Sequence, residues 1–433
     1  MFMILVRNRP QLLSGNKINF ALFCALVFLV TSCGVKKKTS TTVLKSPDYE
    51  EVEDRRKEEE AKRKEEEERA RLKEEELEKD LVIDNKIALL LPFQLQKINF
   101  QNLSKEDIKR SYVALDFYQG LEIGLKKIAD KDHRFLLDVL DTQDDVGQNH
   151  ILASAIETEE ASLIMGPIFP NEIKSFGSSK ENKKTLQVNP LAASLPSEFN
   201  LENLVSLTPS IEVHAQGLAK KIASNVRKDE WILLLNVGDN RSKQFINHVR
   251  NYLESSSKNK SQIKVVNKVD DLKDYLDEYE KNHVVCGSTD NFVINMVLST
   301  LEDQFAKENK DIQLYGHPSW SKVNFQAYDY FASFNPIITS DSHLDEDASK
   351  ARVFFREYKE MYGVEPSDIS YKGYDAALYF GDLIKKHGKD IEEKLLKNNY
   401  KGIYSDYSFN YNQSWGYENT YVNYLQYRNG SFR

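Results

Sequence analysis

From Lys86 to the end of the chain, short apolar runs alternate with segments whose apolar positions recur at helical spacing. KIALLLPF (86–93), RFLLDVLD (134–141), ASLIMG (161–166) and TLQVNP (185–190) are short, largely apolar runs closed by turn residues, which read as strands. SYVALDFYQGLEIGLKKIA (111–129) and NHILASAIETEE (149–160) lie between them and predict amphipathic helices. After Pro209 the alternation resumes. EWILLLNVGD (230–239), IKVVNKV (263–269), HVVCGS (283–288) and IQLYGHP (312–318) predict strands, and VHAQGLAKKIASNV (213–226), KQFINHVRNYLE (243–254) and NFVINMVLSTLEDQ (291–304) predict helices. Strand, helix and strand in repetition imply parallel sheets with helices on both faces. Two such units of similar size predict an α/β chain of two doubly wound lobes with a ligand cleft between them. The run SLIMGP stops abruptly on Gly166-Pro167, and in parallel sheets ligands sit just beyond such strand ends.

The first 80 or so of the 433 residues carry a different pattern. Arg7, Arg9 and Lys17 precede the run INFALFCALVFLV (18–30), whose thirteen residues, apolar but for Asn19, are too few to span a bilayer. A basic start, a short apolar centre and small residues at its end predict a secretory signal peptide over 1–32. Leu29-Val30-Thr31-Ser32-Cys33 resembles a lipobox, which implies lipidation of Cys33 and its exposure as the new N-terminus. Gly34, rather than Asp, follows the cysteine, which by resemblance to sorting signals implies the outer membrane.

Residues 33–49 are polar and rich in Lys, Ser and Thr, a flexible tether. Residues 50–81 are almost entirely charged, with Glu-to-Lys/Arg pairs at i,i+4 such as Glu58 to Lys62 and Glu67 to Arg71. Val52, Ala61, Ala70, Leu72, Leu77 and Leu81 keep no heptad register, so a single solvated helix is expected rather than a coiled coil. At 1.5 Å per residue it would make a rod of about 48 Å.

Composition narrows the function. With 59 basic and 67 acidic residues the net charge is -8, which argues against a nucleic-acid partner. Of the three cysteines, Cys24 falls in the leader and Cys33 at the lipid site, which leaves Cys286 alone as a small core residue. No dinucleotide fingerprint, P-loop, H-E-x-x-H or G-x-S-x-G occurs, and His214, His248, His283 and His317 lack metal-ligand spacing. Asp141, Asp144 and Asp145 are expected to cap the following helix rather than form an acid/base pair. The chain is therefore read as non-enzymatic, without cofactor or metal.

In order and spacing these segments resemble the type I periplasmic binding proteins, the family of branched-chain amino-acid receptors and related Venus-flytrap domains. KIALLLPF resembles the opening strand and ALDFYQGLEIGLKKI the first helix. LDVLDTQDD resembles the second strand with its acidic trail, and SLIMGP and LQVNPLAAS resemble the two cleft loops. YKGYDAALYFGDLI (371–384) resembles the late Tyr-Asp-Ala helix, and FNYNQSWGYENTYVNYLQYRNG (409–430) the closing hairpin. The resemblance implies a first lobe of 85–209 and 338–403 and a second of 210–337 and 404–433, with crossings near Pro209, Pro336 and Tyr404.

It also implies a ligand site built from Phe93, Gly166, Pro167, Phe169, Asn189, Ala193, Ser194, Asp239, Ser288 and Trp320. Amino-acid receptors of the family place hydroxyls and free N–H groups in both first-lobe loops, because a carboxylate leaving water needs several donors. Here Ile168-Phe169-Pro170 offers no hydroxyl, and the second loop keeps only Ser194. The expected partner is a small polar or amphipathic ligand. The alternative is a cell-envelope protein such as a peptidoglycan synthase, because outer-membrane lipoproteins that activate penicillin-binding proteins carry a similar domain.

Overall fold

A computed structural model describes residues 85–130, 133–181, 183–255, 262–346 and 348–433, the backbone of Phe2–Val6, and short helical pieces at 62–64 and 68–69. The expectations for Cys33, the tether and most of the leader and charged segment lie outside these residues. Residues 1–7 with 84–433 form one unit and 8–83 another.

Two sheets organise the first unit, and both use the same order. In the first sheet, Lys86–Leu91 is flanked by Phe135–Asp141 on one side and by Leu163–Met165, Gln187–Asn189 and Leu204–Ser206 on the other, all parallel. In the second, Trp231–Leu235 is flanked by Ile263–Val266 and by Asn282–Cys286, Ile312–Gly316 and Ile337–Ser340, again parallel. Strands covered on both faces are apolar throughout, which is why Ala88–Leu91 and Ile232–Leu235 are fully buried runs rather than alternating ones. Phe2–Val6 runs antiparallel along the outer edge of Phe135–Asp141, within the segment expected to be removed as a leader.

The helices Lys105–Ile128 and Asp368–His387 cover the first sheet and lie unusually close together. Glycines permit this: a Cβ on Gly120 would sit 1.9 Å from the Ser370 carbonyl oxygen, and one on Gly373 2.3 Å from that of Phe117. Ser104 and Ser367 form capping boxes that start these two helices. Ile211–Asn225 and Asn240–Ser255 pack against each other in the second lobe.

The lobes exchange chain at three places, and two of them differ from the sequence expectation. The first lies between Ser206 and Ile211, around Pro209. The second follows Ser340, because Ile337–Ser340 belongs to the second sheet. The third lies between Asn419 and Asn423, because Phe409–Asn412 and Gly416–Asn419 extend the first sheet while only Asn423–Arg428 and Ser431–Phe432 join the second. The C-terminal segment that resembles one hairpin is thus split between the lobes, a division that side-chain periodicity alone does not encode.

Candidate functional site

The carboxyl ends of both parallel sheets carry the loops expected to face the cleft. In the first lobe the strand Leu163–Met165 ends at Gly166, whose φ of +107° and approach to Leu90 leave no room for a side chain: a Cβ would meet the Leu90 carbonyl oxygen at 2.2 Å. Pro167 and Ile168 are buried, Phe169 is half-buried, and Pro170 begins the helix Pro170–Ser179 without a side-chain cap. In the next loop Asn189 is fully buried and turned inward. Its amide donates to the Ala192 carbonyl at 2.8 Å and accepts the Ala192 N–H at 2.9 Å. Ala193 is exposed and Ser194 half-buried. Phe93 is buried edge-on against Tyr118, and its carbonyl accepts the Ser111 hydroxyl at 2.6 Å.

The acidic turn behaves as a brace. Asp141 accepts N–H bonds from Gln94, Leu95 and Gln143 at 2.9 to 3.0 Å, and Asp145 caps the helix Val146–Ala153 through Gln148 N–H at 2.7 Å. These carboxylates use their lone pairs on the backbone, the arrangement of a cap rather than of an acid/base pair.

In the second lobe, Gly238 (φ +87°) leads to Asp239, which is exposed and accepts both the N–H and the hydroxyl of Ser242 at 2.8 and 2.6 Å. Those bonds, the hydroxyl first, hold its carboxyl below the usual range. Ser288 is buried, and its hydroxyl accepts the Asp290 N–H while its carbonyl accepts the Trp320 indole N–H at 2.8 Å. Trp320 is wholly buried against Phe325, 5.4 Å between rings, in a slot that Gly316 opens: a Cβ there would lie 2.2 Å from the indole. It therefore offers no open face to a ligand, contrary to its expected place in the site.

Of the ten expected site residues, the structure places all at strand ends of the two sheets. It leaves only Ala193 and Asp239 exposed and Phe169 and Ser194 half-open. Phe93, Asn189, Ser288 and Trp320 spend their polar groups or rings on the protein itself.

Several residues to which sequence reasoning gave no ligand role lie where the lobes join. His214 is buried, and its Nδ1 lies 3.0 Å from the Thr339 hydroxyl; burial pulls its pKa down to about 4, so the ring is neutral. His317, half-buried at the end of Ile312–Gly316, is likewise held at about 4 by burial. Lys372, on a first-lobe helix, pairs with Asp341 just past the second-lobe strand at 2.5 Å.

Asn419 is buried at the third crossing and fully used. Its Nδ2 donates to the carbonyls of Leu207 and Asp406, both at 2.9 Å, and its Oδ1 accepts N–H from Ser408 and Tyr421 at 3.0 and 3.1 Å. Asp375, the acid of the Tyr-Asp-Ala stretch, accepts N–H from Ile403, Tyr404 and Ser405 at 2.8 to 3.0 Å, while burial pushes it up to about 6. It holds the 400–405 turn rather than a ligand. Partners this distant in sequence leave no local signal.

Two cavities described in the first lobe, of about 740 and 400 Å3, open at the amino ends of its strands and share Lys184 and Glu392. None of the expected site residues lines them. Among the described residues no group of His, Cys, Asp and Glu could hold a metal, and no helix is long and apolar enough to cross a membrane.

No protein-family model matches the sequence, and no curated protein matches it. Solved structures do match. A candidate branched-chain amino acid ABC transporter protein from Rhodospirillum rubrum aligns with a TM-score of 0.55 at 12% identity, covering 81% of this chain and 99% of that one. An ABC transporter substrate-binding protein from Desulfitobacterium hafniense, complexed with Leu, aligns at 0.48 and 14%, covering 81% and 99%. The LpoA (YraM) C-domain from Haemophilus influenzae, a regulator of PBP1A, aligns at 0.49 and 14%, covering 80% and 99%. These are solute-binding and regulatory proteins. With two mixed sheets whose five parallel strands follow the same order, joined by three crossings, the chain has the fold of the type I periplasmic binding proteins.

Proposed function

We propose that this is a non-enzymatic binding protein of the cell envelope whose two lobes close on a small polar or amphipathic ligand, in the manner of a transporter's substrate-binding protein. The observation that carries the reading is the pair of like-ordered sheets, because ligands of such sheets sit beyond the carboxyl ends of the parallel strands and between lobes. The leader pattern and Cys33 support a lipid-anchored chain facing the periplasm, and Gly34 supports the outer membrane. Residues 50–81 would serve as the spacer. In this reading Phe169, Ala193, Ser194 and Asp239 meet the ligand, while Phe93, Gly166, Pro167, Asn189, Ser288 and Trp320 shape the loops around it.

One observation favours a second reading, a regulatory scaffold that binds an envelope protein such as a peptidoglycan synthase: the polar groups of the cleft loops are already engaged. Asn189 and Ser288 bond within the protein, and the loop after Gly166 offers no hydroxyl. Each hydrogen bond a ligand carboxylate fails to make costs on the order of 1 to 3 kcal/mol, roughly ten- to hundredfold in affinity.

A thermal-shift screen of polar and amphipathic small molecules, followed by calorimetry, tests the first reading. A ligand that is not a free amino acid, weakened by Phe169→Ala or Asp239→Asn, is the expected result. Micromolar binding of leucine or another amino acid, abolished by Ser194→Ala, would overturn this account of the loops. Silence across the screen, with tight binding of a peptidoglycan synthase, would transfer the assignment to the scaffold.

A further inference from the structure

Behind the first cleft loop, three fully buried side chains from three elements meet. Glu172, in the first turn of Pro170–Ser179, is 2% exposed; Asn149, on Val146–Ala153, and Thr142, in the acidic turn, are 0% exposed. The Asn149 amide Nδ2 donates to Glu172 Oε1 at 3.2 Å and to the Asp145 carbonyl at 2.8 Å. Among the described residues its Oδ1 and Glu172 Oε2 have no hydrogen-bond partner, and the Thr142 hydroxyl, beside the same carboxyl, completes no other bond.

Counting protons identifies the deficit. The hydroxyl supplies one donor, whereas Asn149 Oδ1 and Glu172 Oε2 are both acceptors if the carboxyl is ionised, so one donor is missing. A buried carboxylate also needs a cationic partner, and among the described residues no ion pair involves Glu172. The titratable groups on the elements packed about it are Asp141, Asp144 and Asp145 on the turn, His150 on Val146–Ala153, engaged with Ser179, and Lys174 on its own helix. Of these Asp144 acts on the carboxyl, and as a like charge.

We propose that Glu172 is carried as the neutral acid and forms a cyclic acid–amide pair with Asn149, Oε2–H donating to Oδ1 while Nδ2–H donates to Oε1, so that one proton latches the acidic turn to the cleft loop. Burial, chiefly, raises the affinity of this carboxyl for its proton, in agreement with the pairing. The carboxyl also lies against the Phe169 backbone N–H, so the latch bears directly on the loop after Gly166-Pro167. Losing the proton leaves two acceptor oxygens facing each other and frees that loop. The latch is independent of which ligand fills the cleft.

Glu172→Gln tests it, because an amide supplies permanently the N–H that the acid supplies only when protonated. The full chain is compared with this variant by thermal unfolding at about pH 5 and about pH 9. A folded pKa raised above the unfolded value gives stability that is lost as pH rises through the folded pKa. The variant should therefore match the wild type at the lower pH and exceed it at the higher. In wild type, infrared spectroscopy at neutral pH should show the carbonyl band of a protonated carboxylic acid that moves on 13C-glutamate labelling, a readout available even if the variant fails to fold. Absence of that band, or a variant whose difference from wild type does not change with pH, would overturn the proposal.

Discussion

Replacing Asn419 by alanine should cost more than any other single hydrogen-bonding change at the lobe junction. The side chain satisfies four backbone groups from three stretches of chain: the Leu207 carbonyl at the first crossing, the Asp406 carbonyl and Ser408 N–H before the hairpin, and the Tyr421 N–H at the third crossing. It is 1% exposed, so the groups it leaves gain water only if the junction opens. A hydrogen bond contributes about 1 kcal/mol net, and a buried group left unpaired costs about 1 to 3 kcal/mol. Four such groups put the loss at about 4 kcal/mol or somewhat more, a large share of the 5 to 15 kcal/mol that folded domains typically have.

Asn419→Asp is the informative partner. It keeps the two acceptor bonds but turns a carboxylate oxygen toward two carbonyl oxygens, so at neutral pH it should lose at least as much. Urea unfolding followed by far-ultraviolet circular dichroism should show the alanine variant's midpoint lower by about 1 M or more. A loss below about 1 kcal/mol for both variants would refute the reasoning, because it would mean that the junction does not depend on this amide.

Two further outcomes rest on the packing and the buried titratable groups. Gly373→Ala should destabilise strongly, by about 3 kcal/mol or more, since its Cβ would lie 2.3 Å from the Phe117 carbonyl oxygen in a backbone-to-backbone contact; thermal unfolding reads it, and a loss under about 1 kcal/mol would contradict the close packing. His214, lowered from 6.5 to about 4, is neutral when folded and protonated when unfolded in that interval, so its contribution is lost as pH falls through it, about 3 kcal/mol at about 1.4 kcal/mol per unit. His214→Gln should therefore lose less stability than wild type between pH 6.5 and about 4 by that amount. Asp375, raised to about 6, acts in the opposite direction, so the comparison of variants isolates the histidine. Parallel pH curves for the two proteins would contradict the assignment.

Most of the lobe architecture was legible because strands covered on both faces must be apolar. KIALLLPF, EWILLL and HVVCGS each became a central strand, and the helical spacings of 111–129 and 213–226 each became a helix. The abrupt strand end at Gly166-Pro167 was legible in the sequence, and Gly166 takes a positive φ where the chain turns out of the strand. What was not legible depends on pairing rather than periodicity. The segment 409–430 was expected as one hairpin by resemblance alone, and its residues do not show which sheet each strand joins. Trp320 was expected in the ligand site because nothing local shows that Gly316 makes a slot for it. His214, Asp341, Lys372 and Asn419 owe their roles to partners as far as 212 residues away, and Glu172 to a turn 30 positions earlier.

The claim that the lobes close on a small ligand is tested most directly by the distance across the cleft mouth. Phe100 and Phe292 are exposed beyond the carboxyl-end strands of the first and second lobes, and Cys286, wholly buried with its thiol pushed up to about 11, will not compete for label. Dyes on Phe100→Cys and Phe292→Cys in a chain of residues 84–433 report that distance by energy transfer. The small-molecule fraction of an envelope extract should shorten it reversibly, with the effect removed by dialysis. An unchanged distance with that fraction, and a response only to the protein fraction, would contradict closure on a small ligand and leave the scaffold as the function.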